Sequence, residues 1–415
     1  MKNAGVPAGA LTPSNPLPLQ DPPARGEDRL RGLDGLRGAA MLMVIFCHLQ
    51  LFNVGWTGLQ SFFVLSGFLI TRILLKDTEH ATSFGDYLKR FYIRRFLRVF
   101  PIYYSYLLVL TVAAQFASGL AQAKTDLPFA YLYVYNFRHL AADHAGTRAL
   151  DHLWSLSVEE QFYLIWPFVI AFARGGALKL VLLTLVATGP ALRGLVFLFW
   201  PPSGALQWTP NAPLAIYVLT SSHIDAFAIG ALINFIDYRP RLWHLLVTVV
   251  GALVLGMATN GLGVMPSSPW APYFMLGWPL FMANAGQSVW GYTVVDFFWF
   301  QVISAILHVP SIRDLFSNRV LDYLGKRSYA TYIVHYPLLG LYAGVWYPLM
   351  HSLGRVLGTL ALLPFYLPVV FALAALSYRF IETPMLRLKD RFASQKRTDS
   401  PERWRRLDAV PQTRH

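Results

Sequence analysis

The sequence predicts an all-α protein, a polytopic transmembrane helical bundle of about ten spans with its N- and C-termini cytoplasmic. Three observations carry that expectation. Hydrophobic residues make up 55% of the 415-residue chain and charged residues only 14%, too little polar surface to cover a water-exposed globule of this size. The apolar residues fall in blocks of roughly 18 to 25, the length that crosses a hydrocarbon core of about 30 Å. Short charged or Pro/Gly-rich segments separate the blocks, and the basic residues gather in alternate ones.

Residues 1–28 are proline-rich and lack the apolar run of a cleavable signal peptide, so they read as a disordered cytoplasmic tail. Spans follow at about 34–53, 57–75, 100–121, 153–172, 177–198, 213–236, 243–262, 288–309, 328–349 and 357–381. Segment 264–286 is apolar but broken by prolines, which fits an outer loop, a re-entrant piece or half of a longer span. Together residues 29–388 make one membrane domain. Residues 389–415 are expected to form a basic cytoplasmic tail placed to lie on anionic lipid, with no second folded domain after the last span.

With the N-terminus inside, all but five of the 35 Lys and Arg are cytoplasmic, the five being Lys124, Arg138, Arg148, Arg193 and Arg355. The net charge of +13 is then a matter of topology, and no nucleic-acid partner is expected. The single cysteine, Cys47, cannot close an internal disulfide and is read as packing; no metal site is expected.

The first span opens LDGLRGAAMLMVIFCHLQ. Arg37 and His48 lie on a similar helical face there, His48 about 16 Å deeper along the axis. An ionisable group inside a span is a functional candidate, and imidazole suits a general base toward an alcohol; the plainer alternative is a histidine bonded to a helix neighbour. Between spans two and three, YLKRFYIRRFLRVFPIYY sets Arg94, Arg95 and Arg98 at helical spacing before Pro101, which is expected to stop or start a helix. Guanidinium forks suit phosphates, and charge that merely sets orientation is the competing reading. Entering the fourth span, HLWSLSVEEQFYLIWP offers Ser157 and Glu160 as a capping box, while Glu159 has no such account. Two acids one turn inside a membrane helix need a partner or a solvated cavity, expected on the outer side. Asp34, Asp225 and His335 are further intramembrane candidates.

These segments, with FFVLSGFLITRILL, HIDAFAIGAL, GKRSYATYIVHYPL and SYRFIETPMLRL, resemble in order the acyltransferase type 3 family of integral-membrane O-acyltransferases, over about residues 29–388. The resemblance implies a ten-helix domain in the plasma (inner) membrane that takes an acyl group, acetyl by family habit, from cytoplasmic acyl-CoA as co-substrate, with no covalently bound cofactor. The acceptor it implies is a hydroxyl of a carbohydrate or lipid-linked glycan such as O-antigen, exopolysaccharide or another cell-envelope polymer. Carried over by position, His48 is the base and Arg37 its paired basic residue. Arg95 and Arg98 match the donor-phosphate motif, Glu159 and Glu160 the acidic pair, and Glu382 with Pro384 the closing motif. One of the acids is expected to orient an imidazole or the acceptor. Acylation of a secreted small molecule such as a macrolide is the alternative within the class. A proton-coupled transporter is the alternative outside it, disfavoured by the absence of internal repeats and by an arginine motif a transporter does not need.

Overall fold

The structure, a computed structural model, describes residues 23–173, 175–200, 211–260, 275–282 and 286–393, with side chains described from residue 31 to residue 388. The regular elements among these residues are all helices. The first helix, α1 (Pro23–His48), starts within the expected tail and ends on His48, five residues short of the expected span end. Gln50, in a left-handed conformation at φ 58°, turns the chain there. Helix α2 (Thr57–His80) returns beside it.

Helix α3 (Phe84–Phe116) runs unbroken through Pro101, so the arginine motif and the third span share one rod. The ring removes a single backbone bond, and buried Leu97, Val99, Ile102 and Tyr103 clamp the helix on both sides of it. The α3 start is capped reciprocally: Asp86 N donates to Ser83 Oγ and the Asp86 carboxylate accepts from Thr82 N. Short α4 (Ala121–Tyr131) and α5 (Tyr135–Arg138) lead to α6 (Trp154–Phe172). The expected capping box at Ser157 and Glu160 does not form. A 3-10 turn, Asp151–Leu153, runs straight into α6, so Ser157 is already inside the helix and donates back to Leu153 O.

There follow α7 (Gly175–Phe199), α8 (Ala212–Val218), α9 (Ile224–Leu232) and α10 (Leu242–Asn260). Next come α11 (Gln287–His308), α12 (Pro310–Phe316), α13 (Arg319–Lys326), α14 (Ser328–Leu341) and α15 (Ala343–Leu353). Last are α16 (Arg355–Ser377) and, after a π-helical turn, α17 (Thr383–Ala393). Most of segment 264–286 lies outside the described residues; its described part, 275–282, is irregular, with Leu276, Phe281 and Met282 at positive φ. Residues 1–22 and 394–415 of the expected tails lie outside the description too.

Among the described residues, six helical segments are long and apolar enough to cross a membrane, and the pair α8–α9, bent by 70°, makes a seventh if it is one broken span. Three expected spans fall short of that measure for identifiable reasons. Within α1 the apolar stretch is preceded by Arg31, Asp34 and Arg37; in α6 Glu159, Glu160 and Gln161 lower the mean hydropathy; and 328–349 is interrupted at Tyr342 between α14 and α15. These three carry most of the candidate chemistry. Around them the outer helices turn apolar faces outward, as with Leu246, Val250 and Val254 of α10, a surface that only lipid covers without cost.

Two devices fix the interior. Helix α1 packs backbone to backbone on α12 and α13: a Cβ added to Gly35 would stand 1.7 Å from Phe316 O, and one added to Gly325 would stand 1.7 Å from Asp34 O. Between α7, α9 and α11, fully buried Arg193 grips Asp225 with two parallel bonds of 2.9 and 2.8 Å. Thr293 Oγ1 adds a bond of 2.5 Å to the same carboxylate, and Arg193 Nε donates to Val289 O at 2.7 Å. Arg193, expected near the outer surface, is therefore an interior clamp, because a guanidinium in the bundle is tolerated only when its donors are met.

Gly325→Ala is expected to cost about 1–3 kcal/mol or more of stability through helix displacement, read as a lowered Tm in detergent, with Gly176→Ala, which has open space around it, unchanged. Arg193→Met alone should cost about 3–5 kcal/mol by stranding Asp225, and the double change Arg193→Met with Asp225→Leu should recover much of it.

Candidate active site

Helix α1 carries two stations. At its end, His48 faces His335 of α14, with His48 Nδ1 2.9 Å from His335 Nε2. His335 Nδ1 lies 2.6 Å from Tyr332 O, and a carbonyl only accepts, so that nitrogen bears the proton. In neutral His335 the remaining Nε2 is the acceptor and His48 Nδ1–H the donor, which leaves the lone pair of His48 on Nε2. Tyr336 packs on the His48 ring at 4.4 Å between centroids. His335 is itself fully buried, and its backbone carbonyl accepts from Tyr366 Oη at 2.7 Å.

The ring of His48 lines a cavity of about 230 Å³ together with His152, Tyr332, Tyr336, Trp154 and Tyr217. His152 is buried, donates from Nε2 to Ile333 O at 3.1 Å, and keeps a Nδ1 that no protein group meets. Its backbone carbonyl accepts from Tyr332 Oη and from Ser155 Oγ. In this aromatic-walled cavity the His48 lone pair on Nε2 can take a proton from a bound hydroxyl, while the unpartnered His152 Nδ1 is buried among protein atoms.

The second station surrounds Arg37, three helical turns back along α1. Arg98 has Arg37, Arg95, Tyr163 and Asp34 for electrostatic neighbours, and Glu159 has Arg95, Arg37 and Arg98. Glu160 adjoins Arg95 and Glu159, while Glu382 faces Arg98, Arg37 and Arg327. Ser66 of α2 donates to Glu159 Oε1 at 3.0 Å and meets Tyr163 Oη at 3.0 Å; the Arg95 guanidinium lies 4.1 Å over the Tyr163 ring. Arg37 pairs loosely with Asp34 one turn earlier, at 3.5 Å. Neither Arg95 nor Arg98 makes a direct ion pair among the described residues.

The sequence-predicted residues thus divide. His48 and His335 meet at one station; Arg37, Asp34, Arg95, Arg98, Glu159, Glu160 and Glu382 gather at the other. Arg94 joins neither, because its guanidinium is taken by Asp77 of α2, and Asp225 belongs to the buried clamp with Arg193. Neither Glu159 nor Glu160 stands behind the His48 imidazole, one of the two roles expected for them beside orienting the acceptor; His335 occupies that place. Cys47 Sγ donates to Asn53 O at 3.5 Å, and the residue is a wall of the cavity. His152 was missed although it opens the motif HLWSLSVEEQFYLIWP, and the criterion applied to His48, an ionisable group at the edge of an apolar span, would have found it.

Comparison with known proteins fits this arrangement. The chain is similar to the peptidoglycan O-acetyltransferase OatA of Listeria monocytogenes, 30% identical over 373 residues that cover 85% of this chain and 55% of the relative. It is also similar to the O-acetyltransferase OatA of Staphylococcus aureus, 28% identical over 378 residues covering 86% of this chain and 57% of that one. The chain spans about half the length of the curated relatives it matches. No solved structure matches it. Residues 30–379, which include both stations except Glu382, match the family described as an acyltransferase domain, and the chain therefore belongs to the acyltransferase 3 family.

Proposed function

We propose that this protein is a multi-pass plasma-membrane O-acetyltransferase that moves an acetyl group from cytoplasmic acetyl-CoA to a hydroxyl of a cell-envelope glycan. Peptidoglycan is the acceptor that the name of the Listeria monocytogenes relative favours. The observation that carries the proposal is the placement of both stations on one continuous helix, Arg37 and His48 about 16 Å apart along it. Coenzyme A is a phosphate-rich head on a long flexible arm. Arg95 and Arg98, free of direct ion pairs among the described residues, are suited to hold the head's phosphates, and the arm spans the distance to the cavity. Both termini are cytoplasmic in this reading, which puts the arginine station inside and the cavity toward the outer face.

In the chemical step, His48 Nε2 takes the proton of the acceptor hydroxyl as its oxygen attacks the thioester carbonyl; the carbon–sulfur bond breaks, the ester forms, and the proton passes to the departing thiolate of CoA. His335 positions rather than reacts: by accepting from His48 Nδ1–H it holds the tautomer that has its lone pair on Nε2. Glu159, held by Ser66, keeps Arg95 and Arg98 facing inward when the donor is absent.

His48→Ala should abolish acetyl transfer, read by mass spectrometry of envelope glycans from cells with and without the variant, while membrane insertion is kept; near-normal acetylation would sink the role. His335→Ala should lower kcat by about 10²–10⁴ with little change in the KM for donor, and His335→Gln, whose side-chain oxygen can still accept, should recover part of that loss. Arg95→Ala and Arg98→Ala should each raise the KM for acetyl-CoA by an amount worth about 1.5–3 kcal/mol. Arg94→Ala should not, since Asp77 already holds that guanidinium.

A further inference from the structure

The connection between α3 and α6 carries a cluster that acyl transfer does not use. His139, His144 and Asp151 bring one donor atom each within 4.8 Å of one another, against the sequence expectation of no metal site. His139 Nε2–H donates to Asp151 O at 3.2 Å, which leaves the lone pair on Nδ1. His144 is 8% exposed, yet neither ring nitrogen has a hydrogen-bond partner. Its Nε2 stands 3.5 Å from Asp151 Oδ1 and its Nδ1 3.5 Å from Asp126 Oδ2.

The 3.5 Å separation from Asp151 is long for a hydrogen bond. It is what two ligands of one tetrahedral ion require, since bonds of about 2.0–2.2 Å set them about 3.4 Å apart. The surroundings follow the pattern of a metal site's supporting shell. His139 gives its other N–H to a backbone carbonyl, and His144 has a fully buried carboxylate behind it, Asp126, which Arg138 fixes through a bond of 2.7 Å to the other oxygen. Asp151 is steadied at the same oxygen, Oδ1, which accepts from Tyr135 Oη at 3.1 Å and from Thr147 N at 2.9 Å.

We propose that His139, His144 and Asp151 bind a divalent first-row transition ion, zinc by the chemistry of two imidazoles and one carboxylate. His139 and Asp151 also line the cavity that holds His48, so the ion fastens this connection as one wall of the cavity and keeps a fourth coordination position for a water or an acceptor oxygen. The site stands on its own donors and does not depend on what His48 does.

The test uses the full chain, purified in detergent with a tag that contains no histidine, stripped with EDTA and returned to metal-free buffer. Titration with ZnCl2 should give one tight site per chain, and zinc should restore a Tm that stripping lowers. Cobalt(II) in the same site should show the visible absorption of a tetrahedral ion. His139→Ala and His144→Ala should each abolish the site, and Asp126→Asn, acting from behind His144, should weaken it about 10- to 100-fold. Far-UV circular dichroism of the zinc-free proteins checks that the variants keep the fold, and His139→Ala serves where His144→Ala does not fold. Zinc bound equally by wild type and by the folded variants, an adventitious ion only, would overturn the proposal. So would a Tm indifferent to zinc with no stoichiometric binding, which would leave His144 as an ion-pair partner of Asp126 and Asp151.

Discussion

A charge left alone in hydrocarbon is expensive, and that cost arranges the interior of this protein. Arg193 and Asp225 are both fully buried, and each meets the other through two bonds. Arg94 is answered by Asp77 across the α2–α3 interface. A further set of charges inside, Arg37, Arg95 and Arg98 among Glu159, Glu160 and Glu382, is arranged so that balance is collective rather than pairwise. A group of that kind can exchange a partner for a ligand's phosphate at little cost, which a closed pair such as Arg193–Asp225 cannot do.

The rod that links this group to His48 depends on glycine. Gly35 and Gly325 let α1 touch α12 and α13 at backbone distance, so the helix carrying Arg37 and His48 is set against a neighbour at both stations: by main chain near Arg37 and by the His48–His335 contact at its far end. A general base is useful only if its lone pair is aimed. In the proposed mechanism the aim comes from a relay of three groups, Tyr332 O, neutral His335 and His48, in which each proton position follows from the carbonyl that can only accept.

Much of this was legible in the sequence. The spacing of Arg37 and His48 needs only the helical repeat, and α1 runs continuously through both. The adjacency of Arg95 and Arg98 to Glu159 was not legible as a contact, because α3 and α6 are brought together by packing that no local pattern encodes; only the family resemblance grouped them. Pro101 was read as a helix boundary by local propensity, and tertiary burial on either side overrode it. The capping box failed for the converse reason: a turn of 3-10 helix before Trp154 moved the helix start upstream, where Ser157 cannot cap it. His335 was named without a partner, and its partnership with His48 joins residues 287 apart in sequence.

The central claim is that one helix joins a donor station to an acceptor station, with the reaction at the second. A cryo-EM structure of the protein with a non-hydrolysable acetyl-CoA analogue tests it most directly. The account predicts the phosphates beside Arg95 and Arg98 and the thioester mimic at the cavity within reach of His48. Phosphates bound elsewhere, or a thioester mimic that ends away from His48, would contradict it.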